Sequence, residues 1–223
     1  MRLRALVVLL VLLLVGCGGA GEERGSVRLW VTRDRGTSVL LDTQVEAGQT
    51  LMRALASKAE VKTRYGGRYL QALNGIEGSL SGRRDWFWFV NGYEGDRSAA
   101  EYRLRDGDVV WWDYREWQRE GEARVVVGAF PEPFVHGYAG KTRPAVVRYA
   151  PGAAKRAERL ADLVASSSVE PLGTAVPPGA NVLEVRTGKP QFRAKLRGES
   201  AGDPVRFVLG GAIGAYAHRY RLP

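Results

Sequence analysis

Residues 86–90 read Trp86-Phe87-Trp88-Phe89-Val90 and are followed at once by Asn91-Gly92. So many aromatic and β-branched side chains in a row suit a pleated strand, and an Asn-Gly pair is a hairpin-turn signal. Successive side chains of a strand point to opposite faces, so Trp86 and Trp88 share one face and Phe87 and Phe89 the other. A second run, Val109-Val110-Trp111-Trp112-Asp113-Tyr114, leaves a turn at Asp106-Gly107-Asp108. Its Trp111 and Asp113 share one face, while Trp112 and Tyr114 share the opposite one. A single antiparallel sheet built from these runs carries aromatic side chains on both faces. One face has to cover a helix and form a core. The other is exposed, covered by the rest of the chain, or covering a ligand, and large exposed apolar patches are rare.

The neighbouring segments supply the rest of a small domain. Val27, Leu29 and Val31 alternate with Arg28, Trp30 and Thr32 as in a half-buried strand, and a second strand is expected around 38–45. Gly48 breaks it, Thr50 is placed to cap a helix, and Leu51, Ala54, Leu55 and Ala59 give that helix one apolar stripe. Tyr69, Ala72 and Leu73 suggest a short strand before the Asn74-Gly75 turn. The order is ββαβββ, and one helix across a mixed sheet of about five strands is the economical way to bury it. That outline is β-grasp-like, within the α+β class.

The remainder differs in character. All six Trp fall between Trp30 and Trp117, whereas the excess of Lys and Arg behind the formal charge of +9 lies after residue 120, apart from Arg2 and Arg4. Both properties shift near residues 118–122, which predicts a domain of 27–117 and a second of 124–223. In the second, Arg124 to Ala129 reads as a strand ended by Pro131 and Pro133, and Val146 to Tyr149 as another. Ala153 to Ala165 is a helix with Ala157, Leu160, Ala161 and Val164 on its apolar face and Lys155, Arg156, Glu158 and Arg159 toward solvent. Ser166-Ser167-Ser168 reads as its end and 171–179 as a loop, followed by strands near 181–186, 191–196 and 205–209. A small basic α+β domain with one long helix is expected.

The N-terminus predicts a destination. Arg2 and Arg4 precede an unbroken apolar run from Ala5 to Val15, too short for the ~20 residues of a membrane-spanning helix but matching a signal-peptide core. Leu14-Val15-Gly16-Cys17 resembles a bacterial lipobox, in which cleavage precedes the cysteine and its thiol receives a diacylglycerol. Cys17 is the chain's one cysteine, so the expected organisation is a signal at 1–16, lipidation at Cys17 and a glycine-rich tether at 17–26. A protein so exported is anchored to the outer face of the cytoplasmic membrane, or to the outer membrane, and does not meet chromosomal DNA. Nucleic acid is therefore not expected as a partner, despite the charge.

Ala47-Gly48-Gln49-Thr50-Leu51, Trp86 to Gly92, and Tyr102-Arg103-Leu104-Arg105-Asp106-Gly107-Asp108-Val109-Val110 together carry a resemblance. Residues 27–117 resemble the domain family of unknown function typified by the C-terminal domain of transcobalamin and intrinsic factor. The resemblance implies a secreted or lipid-anchored β-grasp-like module. In the vertebrate carriers the related domain closes over the corrin ring of cobalamin. It supplies a fold more firmly than a ligand.

Flat π-surfaces with a polar handle suit a planar hydrophobic ligand such as a tetrapyrrole, or a sugar ring. The candidate ligand-binding residues are Trp86, Trp88, Tyr93, Trp111, Trp112 and Tyr114. The alternative is that the second aromatic layer is an interface with residues 121–223. No catalytic frame is evident: Ser166–Ser168 lacks a nucleophile motif, His136 and His218 lack partners in sequence, and the Asp106-Gly107-Asp108 spacing is not a calcium loop. Neither a metal nor a required cofactor is expected, with cobalamin or another tetrapyrrole as ligand. The expected function is that of a non-enzymatic, lipid-anchored binding protein that passes its ligand to a membrane importer. The competing expectation is a structural or protein-interaction lipoprotein of the envelope with no small ligand.

Overall fold

A computed structural model describes residues 25–117 and 124–211. The signal segment, Cys17, the tail from Ile213 through His218 and most of the stretch where a boundary is expected lie outside the described residues. The architecture is α+β and mostly strand.

In the first half, β1 (Ser26–Arg33) and β2 (Ser38–Glu46) form an antiparallel pair, followed by helix α1 (Leu51–Ala56). β1 begins inside the stretch expected as tether. The Thr50 hydroxyl accepts from the Arg53 N–H at 3.3 Å, the N-cap the sequence calls for. Leu51, Met52, Ala54 and Leu55 are buried, so the short helix contributes chiefly through this apolar face. After it come β3 (Val61–Arg64), β4 (Tyr69–Leu73) and β5 (Ile76–Glu77), then β6 (Arg84–Val90), β7 (Tyr93–Glu94) and β8 (Val109–Glu116). The main sheet has the order β2-β1-β8-β6-β7, with β1 and β8 parallel and the other pairs antiparallel.

The expectation of a single sheet needs correcting at 69–73. β4 joins its sequence neighbours in a separate sheet, β3-β4-β5, because tight turns fold it back on both sides. Asn74 and Gly75 both hold the left-handed conformation that such a hairpin requires (φ 46° and 77°).

In the second half, β9 (Ala145–Tyr149), α3 (Ala154–Leu163), β10 (Ser166–Pro171), β11 (Asn181–Arg186), β12 (Gln191–Leu196) and β13 (Val205–Gly210) build a sheet of order β10-β9-β11-β13-β12. Ala157, Leu160 and Ala161 of α3, with Val164 just beyond it, are buried as the periodicity predicts. Three details differ from expectation. Residues 124–129 are not a full strand: a single antiparallel bridge joins Val125 to Tyr93, after which Val127–Ala129 is a 3₁₀ turn and helix α2 (Glu132–Val135) follows. Ser166–Ser168 opens β10 instead of ending α3, because Ala165 takes a left-handed conformation (φ 47°) and turns the chain straight into the sheet. Arg156 is half-buried, and burial beside Arg159 pulls its guanidinium below the usual range.

One apolar cluster runs from Leu29, Leu51 and Trp112 in the first half to Phe130, Phe134 and Phe207 in the second. At the junction Tyr138 packs on both Tyr93 and Tyr102, with ring centroids 5.6 and 5.3 Å apart. Asn91 adds a polar tie, donating to Asp108 at 2.7 Å and to the Gly137 carbonyl at 2.9 Å.

Candidate functional site

The register of β6 against β8 decides which aromatics meet. Trp86 faces Tyr114, Trp88 faces Trp112 and Val90 faces Val110, all on the side that covers α1. Phe87 faces Asp113 and Phe89 faces Trp111 on the other side, where β1 adds Trp30.

That second side is closed. Trp30, Phe89 and Trp111 pack with Val126 and Ala129, so the segment that is not a strand serves as its lid. The Trp111 indole N–H donates to Thr32 Oγ1 at 2.7 Å, and the Thr32 hydroxyl donates to Asp113 Oδ1 at 2.5 Å. Asp113, fully buried, also accepts from the Arg35 N–H at 2.9 Å and the Gly36 N–H at 3.2 Å, and pairs with Arg115 at 3.0 Å. The Arg115 guanidinium lies over the rings of Phe89 and Trp111. Polar handle and apolar body are both satisfied.

The first side is not closed. A cavity of about 280 Å³ opens there, walled by Met52, Leu70, residues 86–88 and Trp112 and rimmed by Arg68, Tyr69, Glu94, Gly95 and residues 97–99. Trp86 is anchored, its N–H donating to the Ile76 carbonyl at 3.0 Å. Trp88 is half-buried and meets Tyr102 edge-on at 5.6 Å. Gly95 is required beside it, since a Cβ there would lie 2.1 Å from the indole. Trp112 is only 2% exposed, and its indole N–H finds no acceptor among the described residues. Leaving such a donor buried and unpaired costs about 1–3 kcal/mol, so a group tolerated in that state calls for an explanation.

The rim is held by charge. Arg97 pairs with Asp96 at 2.7 Å and Arg68 with Glu101 at 2.5 Å. The Asp96 carboxylate also accepts from the Tyr138 hydroxyl at 2.7 Å, tying the rim to the second half. The hydrogen bond from Arg97 is the main reason its carboxyl lies below the usual range.

Of the six residues named from sequence, Trp86, Trp88 and Trp112 line the cavity. Tyr114 lies behind Trp86 (5.2 Å between centroids) and donates to the Glu77 carbonyl at 2.9 Å. Tyr93 belongs to the junction: it is buried and donates to the Asp203 carbonyl at 3.3 Å. Trp111 belongs to the closed side. Met52, Leu70, Arg68, Arg97 and Ser98 were not singled out, because each comes from an ordinary-looking segment and only the fold brings it to the tryptophans.

His136 has a carboxylate beside it after all. Its Nδ1 meets Glu132 Oε2 one helical turn away, and Asp108 lies nearby. Burial raises the carboxyl groups of both Glu132 and Asp108. No group of three or more His, Cys, Asp or Glu suited to a metal ion occurs among the described residues. No helix among them is long and apolar enough to cross a membrane.

Residues 48–116 match the family described as Domain of unknown function (DUF4430), a span running from the entry to α1 through β8 and containing every cavity-lining residue. No curated protein sequence matches the chain. Among solved structures, a candidate metal binding protein from Ruminococcus gnavus ATCC 29149 is similar over 42% of this chain and 98% of its own, at 16% identity and a TM-score of 0.36. Haptocorrin in complex with Cbi is similar over 42% of this chain and 25% of its own, again at 16% identity and a TM-score of 0.36.

Proposed function

We propose that this chain is a non-enzymatic binding module whose open aromatic face takes a flat ring of a small ligand. The observation that carries this reading is an open cavity walled by Trp86, Trp88 and Trp112, behind whose wall the Trp112 N–H is buried with no acceptor among the described residues. A ligand ring would lie against the indoles, and a small rotation of Trp112 on binding would let its N–H meet a ligand acceptor and recover a hydrogen bond. Enclosed volumes of ~300–1,000 Å³ are usual for small-molecule sites. At about 280 Å³ this one accepts a single or fused ring and leaves no room for a whole macrocycle. A tetrapyrrole such as cobalamin would therefore enter by one edge or one appended ring, with the rest lying over the rim of Arg68 and Arg97.

The basic start, the apolar run from Ala5 to Val15 and the lipobox-like Leu14-Val15-Gly16-Cys17 support extending the proposal to an exported protein, lipidated at Cys17, that passes its ligand to a membrane importer. The competing reading, an envelope interaction protein without a ligand, draws on Tyr93 and Trp111 being wholly occupied inside the fold. Titration of the intact protein with cyanocobalamin, haemin and benzimidazole, followed by tryptophan fluorescence, separates the two. Saturable quenching that Trp88→Ala weakens supports the binding module. Flat titrations at micromolar ligand with all three compounds overturn it.

A further inference from the structure

Seven large apolar side chains are exposed among the described residues, and four of them, Tyr65, Tyr69, Leu80 and Trp117, line one cavity of about 250 Å³. This is a second cavity, built by the β3-β4-β5 sheet and the ends of β6 and β8, and it shares only Tyr69 with the first. Tyr65 is 75% exposed, Leu80 89% and Trp117 42%. Tyr65 lies in the turn between β3 and β4, its ring edge-on to Tyr69 at 6.1 Å. Its backbone is left-handed (φ 52°), a conformation that costs a bulky side chain of order 1–3 kcal/mol and that the following Gly66 would adopt freely. A strained tyrosine that stays in water shields no core.

The polar groups around these rings are fixed and balanced. The Tyr69 hydroxyl donates to Asp85 Oδ2 at 2.5 Å, and Asp85 Oδ1 accepts the Trp86 N–H at 2.8 Å. Gln71 hydrogen-bonds Glu77, Arg64 lies 3.9 Å from the same carboxylate, and Arg84 pairs with Asp34 while stacking on Tyr114. Two arginines face two carboxylates in the lining, so the cavity has no excess charge with which to attract a phosphate or a polycation. The eleven residues that line it also fall short of the ~20–30 residues per side of a standard protein interface. Exposed aromatic faces beside planar carboxylate, amide and guanidinium groups match one chemistry well. A sugar ring offers apolar C–H faces to the former and vicinal hydroxyls to the latter.

We propose that this second cavity binds a neutral carbohydrate, with sugar faces against Tyr65 and Trp117 and hydroxyls on Gln71, Glu77 and Asp85. The inference is independent of the planar-ligand site, because Trp117 and Tyr65 do not line that cavity and Trp88 does not line this one. The test is titration of the intact protein with cellohexaose, xylohexaose, maltohexaose and chitohexaose, read by calorimetry and by affinity electrophoresis. Saturable binding to at least one is expected. Trp117→Ala and Tyr65→Ala, both at exposed positions, should each weaken it about tenfold, as loss of one stacking partner implies. Trp88→Ala should leave it unchanged while weakening the planar ligand. Absence of binding to all four glycans would overturn the proposal. So would binding that survives in a folded Tyr65→Ala/Trp117→Ala double variant, or self-association that Trp117→Ala abolishes in place of glycan binding.

Discussion

Trp111 and Trp112 are adjacent on β8, yet one sits in a finished core and the other in an unfinished one. Trp111 has Thr32 on its N–H, Arg115 over its ring, and Val126 and Ala129 closing the layer. Trp112 has Trp88 6.3 Å away, a cavity in front of it, and no acceptor for its N–H among the described residues. Both are almost wholly buried, so exposure alone does not separate them. What separates them is the indole itself: a packed layer and a bonded N–H for Trp111, a neighbouring cavity and an N–H without an acceptor among the described residues for Trp112. A core under selection for stability alone would resemble the first. The second is where a ligand has something left to supply.

The largest effects should come from the closed side. Trp111→Ala removes a large ring from a layer that cannot collapse, and destabilisation of about 3–5 kcal/mol is expected in denaturant unfolding. Asp113→Ala should cost about as much or somewhat less, roughly 3 kcal/mol, by stranding the Thr32 hydroxyl, two backbone N–H groups and Arg115. If either variant unfolds at the wild-type midpoint, the closed side is not the structural layer argued for it.

The open side should lose less stability and more ligand binding. Trp88→Ala truncates a half-buried ring, and a loss of about 1–2 kcal/mol is expected in the same measurement, with ligand quenching weakened. Trp112→Phe keeps the wall and deletes the unpaired donor. Its stability should stay within about 1 kcal/mol of wild type, while ligand affinity falls about tenfold for one lost hydrogen bond. Destabilisation of Trp112→Phe as severe as that of Trp111→Ala would erase the distinction between the two sides.

The smallest effect is in pH. Asp96 holds the rim through Arg97 and Tyr138, and its carboxyl lies below the ordinary 3.8. A depressed carboxyl contributes fully above that ordinary value, and its contribution is lost as pH falls through the lower, folded-state value. Ligand affinity should therefore be flat from neutrality down to about pH 4 and decline below it, and Asp96→Asn should show the weaker affinity throughout. A decline already under way at pH 6 would assign the rim to another group.

Much of this contrast was legible in the chain. Period two along 86–90 and 109–114 separates Trp111 from Trp112, and Asn91-Gly92 turns where expected, both residues left-handed (φ 49° and 83°). Thr50 caps α1 as expected. Parity says which residues share a face, but not which face the rest of the chain will fill. Val126 and Ala129 close one side from a segment whose alternation reads as strand but which makes one bridge, at Val125, before turning at Val127–Ala129. The floor and rim of the cavity come from Met52, residues 68–70, and Glu94, Gly95 and 97–99, three stretches with no common pattern. Tyr65 and Trp117 stand 52 positions apart and meet only because β4 leaves the main sheet.

The indole N–H resonances of the six tryptophans offer the most direct test. With the Trp111 and Trp112 signals assigned in a ¹H–¹⁵N spectrum, benzimidazole and cyanocobalamin are added to the intact protein. The account predicts that the Trp112 signal moves saturably downfield as its N–H gains an acceptor, while that of Trp111, already bonded to Thr32, stays in place. A Trp112 signal unmoved by either compound, or one that shifts only in step with Trp111, would contradict it.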